Sequence, residues 1–191
     1  AAMSGLHIVL AIDRAGIVGD DGETHQGVFD VSMLNSIPNV TIFSPTYFDG
    51  LKCALNSAIY VCNNVAAVRY PRGGDFGEES ITYDIYGNKD CGKLIITYGR
   101  LFSYACKAKE MLAEKGIEVC ILKLCKIKPI DPSAFDFATE FNTVWFFEEG
   151  IKTGSVARNF GDALLARQFN GCYHIKTIGD KFVKQMSVSE A

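Results

Sequence analysis

Between Asp13 and Asp30 the chain reads Asp13-Arg14-Ala15-Gly16-Ile17-Val18-Gly19-Asp20-Asp21-Gly22-Glu23-Thr24-His25-Gln26-Gly27-Val28-Phe29-Asp30, and its residue types are those of a site. Arg14 is a permanent cation, Asp20, Asp21 and Glu23 are carboxylates, and His25 is an imidazole that exchanges protons near neutral pH. Thr24 and Gln26 add hydrogen-bonding groups. Four glycines, at positions 16, 19, 22 and 27, let the backbone turn sharply and approach a ligand closely. Anion binding and proton transfer are the chemistry such a loop could do. The same residues also describe a solvated loop, in which Asp21-Gly22 makes a turn and Arg14 pairs with a surface carboxylate.

The elements that must position the loop can be read on either side of it. Upstream, His7 to Ile12 is an apolar, β-branched run that predicts a strand buried on both faces. Downstream, Phe29, Met33 and Leu34 recur at helical spacing and predict a helix over about 29–36, ended by Pro38. About fifteen residues therefore join strand to helix, well above the handful usual in α/β units. Val40 to Phe43 predicts a second buried strand. Thr46, with Asp49 three residues on, offers a capping-box-like start to a helix over about 47–60, whose apolar face is Leu51, Leu55, Ala58 and Ile59. Val65 to Val68 predicts a third strand, and Arg69-Tyr70-Pro71-Arg72-Gly73-Gly74 leaves its carboxyl end. Ligands collect beyond the carboxyl ends of strands in such sheets, so Arg72 is expected near His25.

The stretch 75–91 is polar and glycine-bearing and reads as a linker. A regular beat follows: a strand at 93–97, a helix over about 101–115 closed by Gly116, a strand at 118–124, a short helix opened by Asp131-Pro132, a strand at 143–147, a helix over about 155–169 and a strand at 173–178. Strands alternating with helices predict parallel pairing through right-handed crossovers, and hence a second, independent α/β domain. The expected fold class is α/β, with one unit over 1–74, the linker over 75–91 and the second unit over 92–191. Lys126, Lys128, Glu148 and Glu149 read as solvated loop charges and His174 as a sheet-edge histidine. Phe182 to Ala191 shows no closing element.

Bulk properties exclude some classes. The 191 residues are 48% hydrophobic and 21% charged, with a formal net charge of -3, which calls for neither nucleic acid nor an anionic membrane as partner. Seven cysteines without a C-x-x-C pair read as small buried hydrophobes in a reducing compartment. No apolar run approaches the ~20 residues of a membrane span, and no signal peptide opens the sequence. A soluble, cytoplasmic protein is expected.

The run from Asp13 to Asp30, followed by Ile37-Pro38 and by Ala67-Val68-Arg69-Tyr70-Pro71-Arg72-Gly73, resembles the 1-deoxy-D-xylulose-5-phosphate synthases, thiamine diphosphate enzymes of the transketolase superfamily. The segment around Asp21-Gly22-Glu23-Thr24-His25-Gln26 would also suit transketolase. The preceding Asp13 to Gly19 and the trailing Gly27 to Asp30 tip the resemblance to the synthases. It implies the carboxyl-terminal half of a pyrimidine-binding domain followed by a transketolase carboxyl-terminal domain, so that the sequence begins mid-domain. Lys126 to Asp131 and Glu148-Glu149-Gly150 fit that second domain, although many synthases have arginine in the place of Cys125.

The resemblance further implies condensation of pyruvate with D-glyceraldehyde 3-phosphate with loss of carbon dioxide, in a homodimer using thiamine diphosphate and Mg2+. Arg14 and Arg72 would anchor the substrate phosphate, because arginine stays charged and binds two oxygens at once. His25 would act as acid or base and Asp21 would accept a hydrogen bond from a substrate hydroxyl. The glutamate that activates the cofactor and the Gly-Asp-Gly motif that holds its diphosphate and metal have no counterpart here; Gly19-Asp20-Asp21-Gly22 is not that motif. Alone, the chain is expected neither to hold the cofactor tightly nor to turn over. Rival readings are a transketolase, a 2-oxo-acid dehydrogenase β subunit and a non-catalytic dimerisation module.

Overall fold

The structure is a computed structural model that describes residues 1–72 and 77–187. Gly73 and Gly74 of the strand exit, the first two residues of the 75–91 stretch and the last four of the chain lie outside the described residues.

The first sheet has the order Ile8–Ile12 (β1), Val65–Arg69 (β3), Val40–Phe43 (β2) and Lys126–Lys128 (β7). At its centre, Val40–Phe43 (β2) and Val65–Arg69 (β3) are buried along their whole length and pair in parallel. Ile8–Ile12 (β1) adds to the other side of β3, also in parallel. The expectation of a first strand buried on both faces is corrected here. This strand lies at the sheet edge with one described neighbour, and Ile8 is 39% exposed. Asp30–Asn35 (α1) ends before Pro38 as the sequence predicts.

Phe48–Tyr60 (α2) buries Gly50, Ala54 and Ala58. The expected Thr46–Asp49 capping box does not form. Tyr47 is the cap position, and the carboxylate of distant Glu79 accepts the Thr46 and Tyr47 N–H groups at 2.9 and 3.0 Å. A carboxylate at a helix N-terminus meets both the unpaired amides and the helix dipole, which outweighs a hydroxyl. The Thr46 hydroxyl instead donates to the Gly99 carbonyl at 3.1 Å.

The second sheet has the order Tyr83–Tyr86 (β4), Cys120–Leu124 (β6), Lys93–Tyr98 (β5), Thr143–Ile151 (β8) and Cys172–Ile178 (β9). Lys93–Tyr98 (β5), Cys120–Leu124 (β6), Thr143–Ile151 (β8) and Cys172–Ile178 (β9) are parallel, as the alternation predicts. Their crossovers are Leu101–Ala113 (α3), Pro132–Ala138 (α4) and Val156–Ala166 (α5). Asp131 and Ser155 cap the last two by accepting the Ser133 and Arg158 N–H groups.

The sequence reading missed two short strands. Tyr83–Tyr86 (β4) lies inside the polar 75–91 stretch and pairs antiparallel with β6. Lys126–Lys128 (β7) leaves the second half to pair antiparallel with β2 of the first. The second unit is therefore not independent: Val31, Ile42 and Ala67 share one core with Leu122, Ile127 and Phe160. Lys128 is not a solvated loop charge either. Its Nζ donates to the Leu34, Asn35 and Ile37 carbonyls at the end of α1, and burial lowers its pKa. All seven cysteines are free, with Cys120 and Cys125 buried but Cys53 and Cys172 exposed. Among the described residues no helix is long and apolar enough to cross a membrane.

Candidate active site

The site grows out of the register of β1 and β3, which places Ile12 beside Arg69. Both strands end there, and the ladder runs on into the loops: Tyr70 N–H donates to the Ile12 carbonyl at 2.9 Å and Ala15 N–H to the Tyr70 carbonyl at 3.0 Å. The long loop is then closed at a neck, where Gly16 and Gly27 exchange backbone hydrogen bonds of 2.9 Å each way. Glycine is required at both. Gly16 has φ of 87° and a Cβ there would lie 2.2 Å from Glu149 Oε2, while one at Gly27 would lie 2.0 Å from the Arg14 carbonyl oxygen. Inside the loop, the buried Gln26 side chain accepts from Val18 N–H at 2.8 Å and donates to the Val18 and Asp21 carbonyls at 3.0 and 3.3 Å.

This scaffold brings three of the four sequence-predicted residues together. Asp21 is gripped from two loops, by Arg14 Nε at 2.9 Å and by Arg72 Nη1 at 3.3 Å. Arg14 also donates to Asp13 at 2.6 Å, and the bond to Asp21, with the charges of Asp13 and Asp21, holds its pKa above the ordinary value. Arg14 has φ of 55°, in the region that L-residues seldom occupy. The cluster borders a cavity of about 370 Å³ lined by Arg14, Tyr47, Phe48, Tyr70 and Arg72 among others. His25 sits apart. It is exposed on a short 3-10 turn, and among the described residues its Nδ1 is bonded to the Thr24 hydroxyl at 3.1 Å.

Beneath the neck lies a residue the sequence reading passed over. Arg69 is buried at 3% exposure and pairs with Asp30 at 2.9 Å. It also donates to the Gly27 carbonyl at 3.1 Å and Ser44 Oγ at 3.3 Å, and it lies over the Tyr98 ring. Burial opposes its charge but the Asp30 carboxylate prevails, so its pKa is raised. The second half supplies the next links. Tyr98 donates to Glu148 Oε1 at 2.7 Å, and Glu148 accepts the Val156 and Ala157 N–H groups at the start of α5. Burial raises the pKa of Glu148, against the pull of these bonds. Arg100 grips Glu149 at 2.7 Å beside Gly16.

Glu148 and Glu149, expected as solvated charges, thus bind buried or half-buried partners. His174 is exposed on edge strand β9, as expected, and stacks on Trp145. Cys125, in the place where many synthases carry arginine, is fully buried, and burial pushes its thiol pKa up.

A magnesium–diphosphate group does not fit the donors present. Among the described residues no group of three or more His, Cys, Asp or Glu could hold a metal ion. Asp13, the carboxylate that lines the cavity, is paired with Arg14, and Asp21 is paired with both Arg14 and Arg72.

The fold of two linked α/β units, with long loops leaving the ends of β1 and β3, is that of a transketolase. The chain belongs to the transketolase family: residues 1–74 match its pyrimidine binding domain and residues 89–188 its C-terminal domain. Within it, the similar curated proteins are named 1-deoxy-D-xylulose-5-phosphate synthase, in agreement with the resemblance read from the two motifs. The one from Clostridium botulinum (strain Alaska E43 / Type E3) is 38% identical over 194 residues, covering 96% of this chain and 31% of that protein. The one from Helicobacter pylori (strain G27) is 40% identical over 165 residues, covering 82% and 27%. The chain therefore spans under a third of the length of these relatives. Among solved structures, a split gene transketolase in an inactive beta4 tetramer matches with a TM-score of 0.79 at 21% identity, over 96% of this chain and 61% of that one. A transketolase mutant from Pichia Stipitis matches with 0.75 at 18% identity, over 99% and 28%.

Proposed function

We propose that this chain is the acceptor-binding part of a thiamine diphosphate-dependent transferase of the 1-deoxy-D-xylulose-5-phosphate synthase type, a cytoplasmic homodimer that joins pyruvate to D-glyceraldehyde 3-phosphate with loss of carbon dioxide. The observation that carries this reading is the convergence of Arg14 and Arg72, from two loops, on the single carboxylate of Asp21 beside a cavity. Two guanidinium groups 2.9 and 3.3 Å from two oxygens form a cradle for a phosphate monoester. A phosphate dianion competes well against one carboxylate for two cations, and Asp21, once displaced, lies beside the ligand to accept a hydroxyl hydrogen bond. His25, on the exposed turn four residues on, is the group to hold or deliver a proton at the new alkoxide oxygen.

In this proposal the diphosphate and magnesium are held by parts of the polypeptide outside this chain. Isolated, the 191 residues neither retain thiamine diphosphate nor turn over, and measurable turnover would refute that. The reading itself is tested by Arg72→Ala in the complete enzyme. Loss of a charge-assisted contact should raise the KM for D-glyceraldehyde 3-phosphate by about 10- to 100-fold and leave that for pyruvate within about twofold. Equal rises for both substrates would contradict the anchor role.

A further inference from the structure

We infer that the chain segment after β9, Phe182 to Ser187, is a positioning strap that fixes the tip of the Asp13–Asp30 loop and thereby the place of Asp21. The segment has no regular structure, yet it returns across the loop. The Phe182 ring packs on Phe29 with centroids 5.6 Å apart, Val183 is buried, and the Met186 carbonyl accepts the Asp20 N–H at 2.8 Å.

The last contact is the informative one. Asp20 precedes Asp21 and has φ of 66°, a left-handed conformation uncommon outside glycine, although aspartate tolerates it better than most residues. The neck at Gly16 and Gly27 fixes the base of the loop, and the Gln26 amide holds the Asp21 carbonyl from inside. Neither contact fixes the peptide between Gly19 and Asp20. The bond to Met186 does, and rotation of that peptide would swing the Asp21 carboxylate away from Arg14 and Arg72. Phe182 remains 72% exposed, so the strap is light and its loss should leave the two sheets intact. A light contact suits positioning better than fold stability.

The inference rests on the phosphate-site reading for its effect on substrate, but not for the contact itself. The test uses the complete enzyme with Phe182→Ala, and separately with the chain ended after Gly179. Hydrogen exchange is measured on the peptide spanning 17–29, alongside the Michaelis constants. The strap predicts that exchange there speeds by about tenfold, while KM for D-glyceraldehyde 3-phosphate rises by about tenfold and that for pyruvate stays within about twofold. The melting temperature should stay where it is. Unaltered exchange in both variants overturns the strap, and faster exchange with an unaltered aldehyde KM overturns its positioning role. Because exchange is read without substrate, failure of the strap is distinct from failure of the phosphate site, which shows as an unaltered aldehyde KM in Arg72→Ala.

Discussion

Two cation–carboxylate clusters in this chain use the same chemistry in opposite surroundings. Lys123 and Glu79 meet at 2.9 Å with both side chains fully buried, among the rings of Tyr47, Phe102 and Tyr86. Asp84 adds a second carboxylate at 3.1 Å, and Glu79 also caps α2, so every group is committed to the fold. Arg14, Asp21 and Arg72 meet at similar distances, but the arginine side chains are 41% and 60% exposed at the edge of a cavity. Water and ions reach the two arginines of the second cluster but not the Lys123–Glu79 pair of the first. A buried pair cannot exchange its partner without leaving an unsolvated charge, whereas an exposed one exchanges at little cost. Geometry alone therefore does not distinguish the two clusters. What distinguishes them is charge that remains able to change partners.

That contrast breaks most visibly in stability. Lys123→Ala should cost about 3–5 kcal/mol, because it strands the Glu79 carboxylate in the core. Urea unfolding of the 191-residue chain reads this directly, and a loss below about 1 kcal/mol would place the pair among ordinary surface contacts.

A smaller effect comes from Glu148, which belongs to the committed kind. Its folded-state pKa is raised above the ordinary value of 4.5, so the folded protein holds that proton more tightly than the unfolded chain does. The stability it contributes is complete below 4.5 and is lost as the pH rises through the raised value. Glu148→Gln removes this dependence, so the parent's margin over the variant should shrink as the pH is raised from about 4 to about 7.5. A margin that grows with pH would contradict the direction of the shift. The smallest stability effect is expected from Arg72→Ala, within about 0.5 kcal/mol of the parent, although its effect on KM is large.

The strand and helix beat was legible in the sequence because β-branched runs such as Val40 to Phe43, Gly116 at a helix end and Asp131-Pro132 at a helix start each act locally. The meeting of Arg14, Asp21 and Arg72 was legible for the same reason, since Arg14 and Asp21 lie seven residues apart on one loop and Arg72 leaves the neighbouring strand. What stayed hidden depends on partners distant in sequence. Lys123 sits in an apolar strand as a residue that should face water, and only Glu79 and Asp84, 44 and 39 residues away, explain its burial. Glu148 and Glu149 look solvated until Tyr98, Arg100 and the start of α5 are placed against them. Arg69 was overshadowed by Arg72, yet it is the buried one of the two. The exposure of β1 likewise follows from its place in the sheet and from nothing in its composition.

The central claim, that Arg14 and Arg72 recognise a phosphate, is tested most directly by comparing D-glyceraldehyde 3-phosphate with D-glyceraldehyde as acceptors in the complete enzyme and its Arg72→Ala variant. The account predicts that kcat/KM for the phosphorylated acceptor falls by about 10- to 100-fold in the variant while that for the unphosphorylated one hardly moves, so that the preference collapses. Equal losses for both acceptors would contradict it, and would make Arg72 a residue of loop structure rather than of substrate recognition.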